Sequence, residues 1–414
     1  MDYNLLLEGV CEMGCRLLEC GAEIYRVEDT IRRLARAYGV DVQVFAIPNC
    51  LIVSLMDGEG HKLTSMRQAK ISGTDLNRLE AYNALSRRLC ANPPADTGEI
   101  LKQVQETGRG LKDYPAWVVL IGFFFGAGFF SMFFSGGWLE ALVGGLAGVI
   151  SGACSILLAR MKVNFFINTV VSGFFLALVS YGIYILGLPV YIEASIVGAT
   201  MVLVPGLVFT NFMSDLLTGD IVAGLSTFAR AVLTAGAIAI GVGAAISLLQ
   251  TIAPLPVGVV PPLVHAPLLA CSLAFVACGG FCIPFQIRGF VGIILCCLGG
   301  ALGWAVYLLI QHIGGSAAVS NLFASMAVAI YANIMSRIRK CPVTPYLVVS
   351  YFPLVPGFTL YRAMSFGISG NIQQFLETFI LTFAIGGSIA LGTLIVSTAM
   401  QIYQNRKGQR HVSL

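Results

Sequence analysis

Apolar residues recur at three- and four-residue spacing over 4–20 and again over 22–38, a period that predicts two amphipathic helices. Gly21 separates them and Gly39 marks the end of the second. The period then changes from helical to alternating. Val40, Val42 and Val44 alternate with their neighbours, as do Leu51, Val53 and Leu55. Asp57-Gly58-Glu59-Gly60 is turn chemistry ahead of a further strand from Lys62. Two more helices, at 75–90 and 97–110, flank the break at Pro93-Pro94. This is the pattern of a small α+β domain built on a hairpin or a three-stranded sheet.

From Tyr114 onward neither period survives. The chain becomes a series of continuous apolar runs at 116–134, 139–159, 165–187, 190–213, 220–248, 267–286, 289–311, 317–337, 344–365 and 372–402. A membrane-spanning helix takes about 20 such residues. Only helices or closed barrels satisfy their backbone groups in lipid, and barrel strands alternate where these runs do not. The expected fold is therefore an α-helical polytopic membrane protein of about ten transmembrane helices behind a small N-terminal α+β domain. Residues 1–113 form the head, 114–249 and 267–403 the two membrane halves, 250–266 a proline-rich linker between them, and 404–414 a tail.

Composition agrees with that division. Hydrophobic residues make up 57% of the chain and charged residues only 11%, against about a quarter charged in soluble domains. All acids except Glu140, Glu193, Asp215, Asp220 and Glu377 lie at or before Asp113. The first residues lack the basic and apolar regions of a signal peptide, so the head is expected in the cytoplasm. Loop charges then orient the spans. Arg160 and Lys162, Arg288, the group Arg337, Arg339 and Lys340, and the tail residues Arg406, Lys407 and Arg410 all fall on the head's side. The linker 250–266 has no Lys or Arg, and Arg362 is the one exception outside. Both termini are thus expected inside a cell membrane crossed many times.

Several chemistries are unsupported. The basic residues form no patch for nucleic acid. The 12 cysteines show no CxxC pair and no zinc spacing; small apolar packing residues are the expectation, with no metal or cofactor. The head carries no nucleophile elbow, phosphate loop or metal triad. His61 is its only histidine and sits beside a turn. Glu23, Arg26, Glu28, Asp29, Arg32 and Arg33 have the spacing of surface ion pairs, with docking or ligand gating as the alternative.

An internal repeat adds function to topology. Leu203-Val204-Pro205-Gly206 recurs as Leu354-Val355-Pro356-Gly357, and Gly219-Asp220-Ile221 recurs as Gly370-Asn371-Ile372, both at an offset of 151. Asn168 and Ser172 correspond to Asn321 and Ser325 at an offset of 153. Each copy holds about five spans, and an odd number forces the second copy to enter the membrane inverted. Two inverted five-helix repeats are a construction of secondary transporters. Pro-Gly near the middle of a span removes a backbone donor and permits unwinding. Broken helices are tolerated in lipid where they line a cavity, and their ends suit a zwitterion; simple packing kinks are the alternative. Pro205, Gly206, Pro356 and Gly357 are therefore candidate substrate-binding residues. So are Asn168, Ser172, Asn321 and Ser325, which could instead join helices. Ionisable groups at membrane depth are functional candidates. Arg230, the most deeply placed charge, could hold a substrate carboxylate or pair with Asp215 or Asp220. Those two acids, flanking Gly219, are the candidates for proton coupling, with interfacial solvation as their other reading. Glu140, Glu193 and Glu377 are expected at solvated span ends.

Gly21-Ala22-Glu23-Ile24-Tyr25-Arg26-Val27-Glu28-Asp29-Thr30-Ile31, the β segment at Phe45-Ala46-Ile47-Pro48 and the two Pro-Gly repeats together resemble the threonine/serine exporter family in its fused form. The resemblance covers essentially the whole chain; Cys20 departs from it, where a small serine-like residue is expected. It implies export of L-threonine and L-serine driven by the proton motive force, with an amino acid, protons and the lipid bilayer as partners and a homo-oligomer compatible. Related two-chain systems imply a dicarboxylate such as succinate as the alternative. An enzyme or sensor head on a membrane anchor and a passive channel are the readings from other classes. No residue role is carried over from the family.

Overall fold

The computed structural model describes residues 1–69, 74–134, 136–203, 208, 212, 213, 215–217, 219–252, 265–339 and 343–412. Pro205 and Gly206 lie outside them. The chain divides into an N-terminal unit, Met1–Tyr114 with Asp215–Thr227 and Phe285–Ile287, and a membrane unit, Pro115–Ser214, Phe228–Pro284 and Arg288–Leu414.

The N-terminal unit is built on an antiparallel sheet of order β1-β2-β3: Val42–Ile47, Cys50–Met56 and Lys62–Gln68. A tight connection pairs Ile47 with Cys50 and runs the register to Val42 opposite Leu55. In the central strand Leu51, Val53 and Leu55 are buried on one face. Ser54 and its cross-strand partner Thr64 share a hydroxyl hydrogen bond of 2.8 Å. Helices α1 (Tyr3–Glu19) and α2 (Ile24–Arg36) form as their period predicts. Asp2 caps α1 by accepting from the Asn4 and Leu5 N–H groups, and Gly21 and Gly39, both at positive φ, end the two helices. Gly14 lets α1 close on its neighbours: a Cβ there would meet Ile31 of α2 and, at 2.7 Å, Leu51 of β2. α3 (Leu76–Ala91) and α4 (Gly98–Gly110) complete the unit, with α4 packed on α1. Leu6, Val10, Met13 and Leu17 of α1 are almost wholly buried, at about 1.5–3 kcal/mol each. These side chains, and not the surface ion pairs at about 0–1 kcal/mol each, hold the unit together. Cys11 and Cys20 serve the same core; burial pushes their thiols up to about 11 and about 12.

Two short segments from later in the chain belong to this unit. The Leu76 N–H donates to Phe285 O at 3.1 Å. Gln286, at φ 60°, accepts from the Tyr114 N–H at 2.8 Å, and the Tyr114 hydroxyl donates to Ile287 O at 3.2 Å. In the other segment the Asp220 N–H donates to Asp215 O at 2.9 Å, around Gly219 at φ +94°.

The membrane unit contains α5 (Ala116–Phe133), α6 (Trp138–Arg160), α7 (Phe165–Ile185), α8 (Ile192–Thr200) and α9 (Ile221–Gln250), the last from Phe228 onward. Then come α10 (Pro267–Cys282), α11 (Phe290–His312), α12 (Ala317–Arg339), α13 (Thr344–Ser350), α14 (Gly357–Ile368) and α15 (Ile372–Val412). Among the described residues seven helices are long and apolar enough to cross a membrane: α5, α6, α7, α9, α11, α12 and α15 through Met400. The chain is thus a multi-pass membrane protein. Three of the ten expected spans, 190–213, 267–286 and 344–365, are not among these seven. α10 stops at Cys282, short of 286, where Pro284 turns the chain, and α15 runs past 402 to Val412. The run 344–365 is not one helix but two, and in the run 190–213 α8 stops at Thr200.

Lipid is as apolar as leucine, so these helices are held by close approach of small residues. On α5, Trp117, Ile121 and Phe125 are exposed while Gly122 and Gly126 are buried. That glycine pair meets α10, where a Cβ on Gly122 would stand 2.8 Å from Gly280 O and one on Gly280 would collide with Gly126 N. The same pairs pack in both halves. α5 with α6, α6 with α7, α6 with α8 and α7 with α8 recur as α10 with α11, α11 with α12, α11 with α13 and α12 with α13.

Candidate functional site

The interruption between α13 and α14 has a direct cause in the sequence Tyr351-Phe352-Pro353-Leu354-Val355-Pro356-Gly357. Two prolines within four residues remove two helix donors. The backbone closes into turns instead: Leu354 and Val355 both donate to Tyr351 O, at 2.8 and 3.0 Å. Gly357 N–H then donates to Val355 O and Leu360 N–H to Pro356 O, starting α14. A helix start has four N–H groups without intrahelical partners; those of Phe358 and Thr359 have no protein acceptor among the described residues. Pro353 is not duplicated in the first half, where Val202 stands at the same offset, so the repeat gave no signal for it.

Aromatic rings and a few hydroxyls line the interruption. Phe352 stacks on Phe281 of α10, centroids 4.7 Å apart, and Phe130 of α5 leans on both. Phe134 meets Phe358 at 5.5 Å. Ser350 Oγ donates to Cys296 O on α11 at 3.2 Å. The Tyr351 hydroxyl lies 2.7 Å from Thr393 Oγ1 on α15 and donates to Ser325 O on α12 at 3.4 Å. Tyr351 thus joins the turn of Ser325 to the broken helix, a link that spacing could not reveal because the three residues sit on separate elements.

The two Asn–Ser pairs are not equivalent. Asn168 Nδ2 donates across to Ser155 O on α6 at 3.1 Å, and its Oδ1 accepts from Ser172 Oγ at 3.2 Å. Asn321 Nδ2 donates back to Ala317 O of its own helix at 2.8 Å, and Ser325 Oγ to Leu322 O at 2.8 Å. Asn321 is only 3% exposed, and its Oδ1 has no protein partner among the described residues. The first pair therefore joins helices, and the second leaves a buried acceptor beside the interrupted span.

The charged candidates separate by unit. Arg230 places its guanidinium 5.3 Å from the Phe165 ring and makes no ion pair among the described residues, so its charge is met by a π face. Glu140 is not solvated at a span end as expected. It is 8% exposed, its Oε2 accepts from the Gly137 N–H at 2.7 Å and its Oε1 from the Tyr191 N–H at 2.8 Å, tying the start of α6 to that of α8. Glu193, held by the Tyr191 hydroxyl at 3.1 Å, and Glu377, held by Gln373, lie exposed at span ends.

Asp215 and Asp220 fall in the N-terminal unit. Asp215 is 5% exposed. Burial, then the charges of Glu23 and Asp220, push its carboxyl up to about 7. Glu23 opens the helix α2 and is itself gripped by Arg26, whose Nε lies 2.6 Å from Glu23 Oε2 and donates to the Tyr25 hydroxyl at 2.9 Å. Glu28 also does more than pair on the surface: it holds Arg32 at 2.7 Å and accepts from the Ala46 N–H of β1 at 3.2 Å. Only Asp29 with Arg33 is the exposed pair that helical spacing predicts.

Two family models match the chain: ThrE, described as a threonine/serine exporter, over residues 8–249, and a second, "Threonine/Serine exporter, ThrE", over residues 270–399. The chain belongs to the threonine/serine exporter family. It is similar to the "Probable threonine/serine exporter" of Mycobacterium tuberculosis, 23% identical over 92% of this chain and 74% of that protein. It is similar to the "Threonine/serine exporter" of Corynebacterium glutamicum, 24% identical over 78% of this chain and 67% of that one. A "Probable succinate transporter subunit YjjP" of Klebsiella aerogenes is 28% identical over 55% of this chain and 87% of its own length. No solved structure matches the chain. Within this exporter-family chain, the first match runs from α1 into α9 and the second covers the stretch that holds the interruption between α13 and α14.

Proposed function

We propose that the chain exports small hydroxy amino acids, L-threonine and L-serine, by proton antiport and alternating access between two inverted five-helix repeats. The divisions are 1–113, 114–249, 250–266, 267–403 and 404–414, with both termini cytoplasmic. The interruption at Pro356-Gly357 carries the proposal. It presents the unpartnered Phe358 and Thr359 N–H groups of a helix start, suited to a carboxylate; the buried Asn321 oxygen on α12 is suited to an ammonium or hydroxyl donor. Names of two relatives supply the substrate. The recurring helix pairs support a duplicated unit. Support for the orientation comes from the N-terminal unit: 285–287, which clusters with the head, adjoins Arg288, which loop charge assigns to that side.

The test is efflux of labelled threonine from proteoliposomes. Pro356→Ala combined with Gly357→Ala abolishes efflux while the protein still inserts; wild-type efflux in that variant rejects the interrupted helix as the site. The likeness to a succinate transporter subunit favours a second reading, a dicarboxylate exporter. Two carboxylates call for more positive charge than Arg230 supplies within the spans, so serine and not succinate is expected to compete with labelled threonine. Competition by succinate alone reverses the assignment.

A further inference from the structure

We infer that the cleft between α3 and α4 of the head is a binding site for a free α-amino acid, separate from the interrupted helix. The cleft measures about 570 Å³, within the range of about 300–1,000 Å³ for small-molecule sites. Both of its walls belong to the N-terminal unit. On one side stand Arg88, Leu89 and Asn92, and on the other Glu99, Gln103, Glu106 and Thr107. The spacings are helical: Arg88 and Asn92 lie four residues apart, and Glu99, Gln103 and Glu106 share one face of α4. The two helices touch where Gly108 meets Tyr82, since a Cβ there would stand 2.5 Å from the Tyr82 hydroxyl. Toward Arg88 and Glu99 the walls stand apart, and Pro93-Pro94 keeps the connection between them extended.

The walls carry opposite charge and do not neutralise it. Arg88 and Glu106 make no ion pair or side-chain hydrogen bond among the described residues, and the side chains of Asn92 and Thr107 make none either. Glu99 Oε1 accepts from Gln103 Nε2 at 3.5 Å, which leaves its other oxygen open. On a convex surface such charges are simply solvated. Here they edge one concavity beside Leu89, which is 2% exposed. A simple anion in this cleft would meet two carboxylates, and a simple cation would meet Arg88. A zwitterion satisfies both walls at once. Its carboxylate suits the fork of the Arg88 guanidinium, and its ammonium suits Glu99 and Glu106. The amides of Asn92 and Gln103 and the Thr107 hydroxyl supply donors and acceptors for a polar side chain. The amino-acid class follows from the cleft alone; the choice of L-threonine and L-serine as probes rests on the proposed export.

The measurement is amide hydrogen exchange of the full-length protein in detergent micelles, followed over 88–92 and 99–107. L-Threonine and L-serine at millimolar concentration should slow exchange there. Threonine amide, which lacks the carboxylate, and N-acetylthreonine, which lacks the ammonium, should not. Arg88→Gln and Glu106→Gln should each raise the concentration that gives half-maximal protection by about tenfold, and Arg88→Lys should recover part of the loss. Arg88 and Glu106 are both exposed, so these variants keep the fold. Three results overturn the inference: no protection by either amino acid, equal protection by succinate, or wild-type protection in both Gln variants. The readout is local to the head and does not depend on transport. If protection appears as stated while labelled threonine is not exported, the proposed function fails and the head site stands. If export proceeds without protection, the head site fails and the proposed function stands.

Discussion

Asp215 is the clearest case of a side chain whose chemistry is made by its surroundings. Its carboxyl is raised to about 7, first by burial and then by Glu23 and Asp220. A carboxyl raised on folding stabilises the folded arrangement while protonated in both states. That contribution declines as pH rises from the unfolded value and is gone once pH has passed through about 7. The difference is on the order of a few kcal/mol at full ionisation. The segment 215–227 should therefore hold to the N-terminal unit more weakly above neutrality than at pH 5. Amide hydrogen exchange at 215–217 and 219–227 is the measurement. Protection should fall between pH 5 and 8 in the wild type and stay flat in Asp215→Asn. Protection that stays flat in the wild type would mean that Asp215 does not titrate there. The acid itself was visible in the sequence, as one of five carboxylates beyond the head. Its partner was not, because Glu23 lies nearly two hundred residues earlier and its helical spacing reads as an ordinary ion pair with Arg26.

Between elements, Glu140 makes the same point about charge in an apolar surrounding. Position in a span could place it only at an end. The fold buries it and gives its two oxygens the N–H groups of Gly137 and Tyr191, so that one side chain satisfies the start of α6 and the approach to α8. Charge-assisted bonds of this kind are worth about 1.5–3 kcal/mol. Glu140→Gln replaces one acceptor by a donor facing an N–H. We expect a loss on the order of 2 kcal/mol, read as a drop in the thermal unfolding midpoint in detergent micelles, and a larger drop for Glu140→Ala. An unchanged midpoint would show that solvent already satisfies those groups. Elements with a single strong period, such as α1, α2 and the long apolar helices, were legible from spacing, as was the interruption at Pro356-Gly357 from its repetition. Pro353 and Tyr351 were not. The first has no counterpart in the other half, and the second acts through hydroxyl contacts to Ser325 and Thr393 on helices that only the tertiary fold brings near.

For the whole chain the decisive question is whether its two halves face opposite ways. Small-residue crossings such as Gly122 and Gly126 against Gly280 fix which helices touch, and the pairing of helices recurs between the halves. Neither alone fixes direction, since parallel and inverted copies can repeat the same neighbour pairs. Direction is set by the number of spans in each copy, and an odd number makes each loop of the first half lie across the membrane from its counterpart in the second. Lys162, in the connection of α6 to α7, and Ser316, between α11 and α12, are such counterparts. In a cysteine-free background, Lys162→Cys should react with a membrane-impermeant thiol reagent only after cells are opened, whereas Ser316→Cys should react in intact cells. Ser369→Cys, between α14 and α15, should behave like Ser316→Cys, and a cysteine at Arg288 like Lys162→Cys. If Lys162→Cys and Ser316→Cys react from the same side, the copies are parallel. The two Pro-Gly segments then cannot exchange roles between inward- and outward-open shapes, and alternating access by repeat exchange is lost even though the family assignment remains.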